Sequence, residues 1–169
     1  MKRIILLLGI VLLVAPLTVK AQVSDAAKKS LRGLKGVYVL VEELTDEVQR
    51  QELDNNQLQT DAELRLRKAG IRVATKTEAI QSDDIGILYI NVGMMQLHSG
   101  LCVVSESVDL QQSVRLIRDN SIIVNSATTY RIRASFGTVA CTKFREDART
   151  SINDKVDVFI NDYLAMNGK

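Results

Sequence analysis

An alternation of apolar and polar side chains through three long segments constrains the fold of this chain more than any other feature. The segments are residues 85–97, 102–116 and 122–136. Because successive side chains of a strand point to opposite faces, this period of two predicts β-strands, and a single apolar face predicts an antiparallel sheet covered on one side. The apolar faces are even-numbered: Leu88, Ile90, Val92 and Met94; Cys102, Val104, Val108, Leu110, Val114 and Leu116; Ile122, Val124, Tyr130, Ile132, Ala134 and Phe136.

Two amphipathic helices can cover that face. Apolar residues recur at helical spacing in residues 55–69, and a longer apolar stripe runs through residues 144–167. Asp54 or Asn55 can cap the first helix, and Gly70 follows its end. The predicted fold is therefore an α+β two-layer sandwich, a mostly antiparallel sheet with two helices packed on one face.

The shorter segments complete this outline. Residues 36–41 are rich in β-branched and aromatic side chains and predict a first strand, and residues 71–73 predict a short second strand. We expect a short or irregular helix in residues 25–35 and a polar loop in residues 75–84. Residues 42–53 are ambiguous.

The apolar faces also fix the register of the hairpin that joins segments 102–116 and 122–136. Residues directly opposite each other share a face, and both apolar faces are even-numbered, so the numbers of opposed residues must sum to an even value. A three-residue loop within residues 118–121 makes that sum 238 or 240, which places Cys102 opposite Phe136 or Thr138. Cys141 then lies close enough to reach Cys102. Two cysteines in a protein of an oxidising compartment usually form a disulfide. We therefore predict a Cys102–Cys141 disulfide, with two free buried thiols as the alternative.

The N-terminus has the three-part layout of a signal peptide. Lys2 and Arg3 precede an apolar run from Ile4 to Ala15, and Val19 and Ala21 are the small residues that a signal peptidase reads. We expect residues 1–21 to be a signal peptide and residues 22–169 to be a single α+β domain. The run is shorter than the ~20 residues that span a bilayer, so we expect a periplasmic or secreted protein that does not span a membrane after cleavage. An uncleaved anchor is the alternative.

The charge balance narrows the class of partner. The whole chain has 22 basic and 20 acidic residues, and three of the basic residues, Lys2, Arg3 and Lys20, belong to the predicted signal peptide. The mature chain is then nearly neutral, with 19 basic and 20 acidic residues. We therefore expect no nucleic-acid partner, and no polybasic field that would attract an anionic membrane.

The sequence contains no recognisable catalytic, metal or cofactor motif. His98 is the one histidine, and a single histidine cannot supply the ligands of a zinc enzyme. Its neighbour Ser99 lies in the same turn, where adjacent side chains rarely face each other as a catalytic serine and histidine must. Glu106 lies on an apolar face, where burying a carboxylate without a partner is costly. We therefore expect it to pair with a lysine or arginine at a helix edge or to lie at the rim of the layer. Ligand binding is the alternative. We expect no catalytic residue, metal or cofactor, with a small secreted hydrolase as the alternative function.

The uncovered polar face of the sheet is the candidate binding surface. Asp109 should lie across from Thr129 or Arg131, which would neutralise one arginine and leave Arg133 available to an acidic or anionic partner. The sequence therefore predicts a non-enzymatic binding or assembly module that acts through this face or a strand edge on an envelope or periplasmic protein. The candidate residues are Ser107, Asp109, Gln111, Thr129, Arg131 and Arg133.

Three segments together resemble a family of small exported bacterial proteins of unknown function. They are the strand at residues 37–41, the helix and turn at residues 64–73, and the closing residues 159–164. The helix followed by Ala-Gly-Ile-Arg-Val is also similar to the strand–helix–strand unit in the N-terminal domain of TolB, over residues 36–95. Both resemblances imply an envelope or periplasmic context, and neither supplies a catalytic residue.

Cleavage between Ala21 and Gln22 is the first testable prediction, because small residues stand at positions 19 and 21. Mass spectrometry of the protein recovered from the periplasm or the medium should show a chain that begins at Gln22. Recovery of the intact Met1 form in membranes alone would indicate an anchor.

Overall fold

A single five-stranded sheet organises the protein in the computed structural model, which describes residues 23–168. The predicted signal peptide, residues 1–21, lies outside this range. The strands are β1 (Gly36–Val41), β2 (Ile85–Gln96), β3 (Leu101–Leu116), β4 (Asp119–Arg131) and β5 (Ser135–Ala140). The helices are α1 (Asp25–Lys29), α2 (Asp46–Gln49), α3 (Asn55–Lys68), α4 (Lys76–Gln81) and α5 (Phe144–Asn167). The predicted α+β class with a mostly antiparallel sheet is confirmed.

The long strand β3 is the centre of the sheet. β2 pairs with one edge of β3, and β4 and β5 pair one after the other with the opposite edge, all antiparallel. β1 adds to β2 in parallel. The single strand predicted for residues 122–136 is therefore wrong, because the chain leaves the ladder after Arg131 and returns at Ser135.

The register along β3 changes at this break. Asp109 lies opposite Arg131, which is the even sum of 240 expected from the sequence. In β5, however, Cys102 lies opposite Val139, and the sum becomes 241. A slip of one residue turns every following side chain to the other face. Phe136, which we predicted to face the core, consequently lies opposite Ser105 and is 79% exposed.

The β3–β4 hairpin ends in a two-residue turn, Ile117–Arg118, with Leu116 opposite Asp119, so the predicted three-residue loop is wrong. The pairing of β3 with β4 contains three register irregularities. All residues from 117 to 126 are exposed. Ile122 and Val124, predicted to face the core, are therefore exposed, because this end of the hairpin extends beyond the helices that cover the rest of the sheet.

On the apolar face of the sheet, α5 packs on β3, and α3 packs on β1 and against α5. α3 buries Leu58, Ala62 and Leu66 along one stripe. α5 contributes the largest helical share of the core: Phe144, Ala148, Ile152, Val156, Phe159, Ile160 and Tyr163. Arg149 of α5 donates to Asp61 of α3 at 2.7 Å, and Arg65 of α3 donates to Asp157 of α5 at 2.7 Å, so charged pairs cross between the two helices.

Two short segments differ from their predictions. The predicted strand at residues 71–73 is reduced to one parallel bridge between Val37 and Val73. The expected polar loop at residues 75–84 contains α4, which begins with a capping box of Thr75 and Glu78. The Thr-x-x-Glu pattern was the available signal for this helix. In the part of the chain that the structure describes, no helix is long and apolar enough to cross a membrane.

The predicted disulfide between Cys102 and Cys141 is confirmed, with the two Cα atoms 5.1 Å apart. Cys102 is the second residue of β3, and Cys141 begins the 3₁₀ turn that leads into α5. The bond therefore ties the longest helix to the central strand.

Loss of this bond should destabilise the protein strongly. Replacing both residues, Cys102→Ala with Cys141→Ala, should lower the free energy of unfolding by about 4 kcal/mol, since the bond closes a loop of about 40 residues. Urea denaturation followed by circular dichroism measures the change. An unchanged midpoint would show that the bond adds little to stability.

Candidate functional site

An ordered row of side chains crosses the odd-numbered face of the sheet at Asp109. This residue of β3 lies opposite Tyr89 of β2 on one side and Arg131 of β4 on the other. Arg131 donates from Nε to Oδ1 of Asp109 at 2.9 Å and from Nη2 to Oδ2 at 3.0 Å. Asp109 is only 4% exposed, so this bidentate pair, rather than water, satisfies most of the carboxylate.

The pair settles which arginine is neutralised locally. The hydrogen bonds to Asp109, and then the charge of that carboxylate, raise the pKa of Arg131. Arg133 follows two residues later in the link between β4 and β5, where its neighbour Ile132 is buried and Arg133 itself is exposed. Within residues 23–168, Arg133 forms no ion pair. Its charge is therefore available at the surface.

The other candidate residues divide between two places. Ser107 and Gln111 are half-buried on the odd-numbered face, opposite Asn91 and Ile87 of β2. Thr129 does not join them: its hydroxyl accepts a hydrogen bond of 2.5 Å from Gln112, whose amide also donates to the carbonyl of Ser30. The register shift between Leu110 and Gln111 leaves Thr129 unpaired with β3 and lets it turn toward the α1 side.

A second polar group lies beside the Asp109 row. Tyr89 and Asn91 of β2 both donate to the carboxylate of Glu42, which follows the end of β1. Burial, followed by the hydrogen bond to Glu42, raises the pKa of Tyr89, so this phenol stays protonated at neutral pH. Strand alternation identifies the face on which Tyr89 and Asn91 lie, but it does not identify Glu42, the loop residue that joins them.

The odd-numbered face is not uncovered along its whole length. α4 contacts β1 and β2, and its Ala79 and Ile80 line a hollow of about 190 Å³ together with Ile87 and Gln111. α4 thus borders the face near Gln111, which corrects the expectation that no element would reach it. The part nearer the strand break carries Arg131, Ser105, Ser107 and the exposed ring of Phe136. Arg133, in the link, lines a hollow with Arg131 and with Ser24 and Ala27 of the N-terminal segment. We call Ser105, Ser107, Arg131, Arg133 and Phe136 the junction surface.

Glu106 belongs to a buried polar cluster on the opposite face. It is 5% exposed and lies 3.6 Å from Nζ of Lys155, the kind of pairing expected from the sequence. Lys155 also donates to Ser135 at 2.5 Å and to Ser151 at 2.7 Å, and Ser151 donates to Glu106. A serine–lysine pair resembles a nucleophile and its base, but the hydroxyl of Ser151 donates to Glu106 and accepts from Lys155, so its proton is not directed at the lysine. The geometry therefore favours a structural role for this cluster.

A hollow of about 590 Å³ lies between the end of α2 and the start of α5. Two of its arginines are already paired, Arg145 with Glu52 at 2.9 Å and Arg149 with Asp61 at 2.7 Å. None of the six candidate binding residues lines this hollow. Within residues 23–168, no group of three or more histidine, cysteine or acidic side chains is arranged to hold a metal ion.

Comparison with known proteins assigns no family. No protein-family model and no curated protein matches the chain. Among solved structures, a minor lipoprotein from Acinetobacter baumannii is similar, with 14% sequence identity and a TM-score of 0.39, over 78% of this chain and 94% of that protein. At this level the likeness carries no functional argument. The resemblance to TolB stays a prediction.

The two arginines should differ in their effect on stability. Arg131→Ala leaves the buried carboxylate of Asp109 without its partner and should lower the free energy of unfolding by about 1–2 kcal/mol, reduced by the exposure of Arg131 to water. Arg133→Ala should change it by less than about 0.5 kcal/mol. Chemical denaturation of both variants makes the comparison, and equal effects would contradict the assigned pairing.

Proposed function

We propose that this protein is a non-enzymatic binding or assembly module of the bacterial cell envelope, periplasmic or secreted, that holds an acidic or anionic segment of another envelope protein on the junction surface. The observation that carries the proposal is the exposure of Arg133 within the strand break and of Phe136 just after it. Aromatic residues and arginine are enriched at the buried centres of protein interfaces.

The support of this surface favours binding. Arg131 is fixed by two hydrogen bonds to a buried carboxylate, so one edge of the surface is already ordered before a partner arrives. A preorganised surface loses less conformational entropy on association. Arg133 supplies charge that no described residue neutralises, and Phe136 supplies apolar area. Ser105 and Ser107 between them offer hydroxyls without adding a competing charge.

The confirmed disulfide supports the proposed location. Disulfides persist in oxidising compartments such as the bacterial periplasm and the extracellular medium, and cytosolic thiols are kept reduced. The bond between Cys102 and Cys141 joins buried positions and stabilises the strand that carries Ser105 and Ser107.

The strand-edge alternative receives less support. The outer edge of β4 is exposed along residues 119–126, but its three register irregularities and the positive φ of 58° at Ser126 interrupt regular geometry. Bulges of this kind are a common means of preventing strand addition at an edge. The junction surface is therefore the better candidate.

Site-specific photo-crosslinking in living cells tests the proposal. A photoreactive residue in place of Phe136 should give an adduct of defined mass with one envelope protein, and Arg133→Glu should abolish that adduct by reversing the charge. A photoreactive residue at the exposed Leu64 of α3 and the charge reversal Lys68→Glu are the matched controls. Absence of an adduct at position 136, or its persistence with Arg133→Glu, would contradict the proposal.

A further inference from the structure

The end of the β3–β4 hairpin is the most exposed apolar part of the protein among the described residues. We define the hairpin tip as residues 115–124. Ile117 in the turn is 98% exposed, and Ile122, Ile123 and Val124 are also exposed. Isolated apolar residues at a surface are ordinary, but four branched aliphatic residues on one protruding element need an explanation.

The aliphatic side chains of the hairpin tip point in several directions. Val124 lies opposite Val114, on the face that the helices cover elsewhere, and Ile123 lies opposite Arg115, on the other face. Ile117 occupies the turn itself. A flat protein partner would contact one face of the hairpin and leave the aliphatic side chains of the other face exposed to water. An element that is apolar on both faces and at its end fits an environment that surrounds it, as a lipid interface does.

The hairpin tip carries a net positive charge. Its ionisable side chains are Arg115, Arg118 and Asp119. Arg115 and Arg118 are both exposed and lie beside the aliphatic residues, where their long side chains can reach lipid phosphates.

A second copy of the chain is the main competing occupant. Two copies could pair along the outer edge of β4, but residues 120–122 have no partner on β3, and the hairpin contains two further register shifts. A strand so irregular offers poor geometry for a continuous intermolecular ladder. The observations therefore favour a lipid surface.

We propose that the hairpin tip docks on a bilayer that contains anionic lipids, with its aliphatic side chains in the interface and Arg115 and Arg118 against phosphate groups. The insertion is shallow. Residues 120–122 have no partner on β3, and those of their backbone groups that neither Arg115 nor Asp119 hydrogen-bonds need water or head groups, because hydrocarbon cannot satisfy them. Asp119 also stays ionised, since hydrogen bonds from Ser121 lower its pKa. This surface is separate from the junction surface, so the two proposals can fail independently.

Vesicle co-sedimentation tests the proposal with the protein purified after export and its N-terminus verified by mass spectrometry. The probes are vesicles of phosphatidylcholine alone and vesicles containing about a quarter phosphatidylglycerol. The wild-type protein should bind the anionic vesicles more strongly, and the double variant Ile117→Asn with Ile123→Thr should lower the partition coefficient at least about tenfold. Leu64→Gln, which replaces an exposed aliphatic residue of α3, should leave it unchanged.

The double variant Arg115→Gln with Arg118→Gln should remove the preference for phosphatidylglycerol, and raising the salt concentration to about 0.5 M should weaken wild-type binding. Circular dichroism verifies that each variant is folded. Failure of the folded wild-type protein to bind either vesicle would overturn the proposal, as would full binding by the Ile117 and Ile123 variant. Sedimentation velocity showing a dimer that this variant dissociates, without vesicle binding, would assign the hairpin tip to a second copy.

Discussion

The one-residue step in register between β4 and β5 determines what the sheet presents on each face. If the register of Asp109 and Arg131 continued, Ala134 would lie opposite Glu106 and Phe136 would turn toward the helices. The step instead places Ser135 opposite Glu106, where its hydroxyl accepts a hydrogen bond from Lys155. The same step turns Phe136 outward beside Ser105. One local irregularity thus completes the buried polar cluster and creates the junction surface.

The polar groups on the two faces of β3 support this arrangement in different ways. Glu106 and Lys155 are both almost fully buried, and removing either would leave an uncompensated charge in the core. On the other face, Asp109 holds Arg131 at the last residue of β4. The strand break therefore lies between two fixed charged pairs, and the disulfide secures the turn between β5 and α5 to the start of β3. These contacts limit how the link at residues 132–134 can move.

The sequence predicted the elements whose periodicity is long and whose ends are marked. β1 and α5 have the predicted bounds, and α3 ends one residue earlier than predicted, because each combines a clear apolar pattern with a stop signal such as Gly70 or Gly168. The disulfide was predicted correctly although Cys102 lies opposite Val139 rather than Phe136 or Thr138. A shift of one to three residues along β5 still leaves Cys141 within reach of Cys102. The break after Arg131 could not be predicted, because residues 132–136 continue the even-numbered apolar pattern. Periodicity correctly predicts that Asp109 and Arg131 share the polar face. It fails for Phe136, because one extra residue between β4 and β5 turns that side chain to the opposite face.

A single tryptophan tests the orientation of Phe136, on which the register step and the junction surface both depend. The chain contains no tryptophan, so Phe136→Trp introduces a unique fluorophore at the junction surface. We expect the red-shifted emission of an indole in water, freely quenched by iodide, in a protein with unchanged circular dichroism. Blue-shifted emission protected from iodide in the folded protein would show that position 136 faces the core, and the register step and the junction surface would both be wrong.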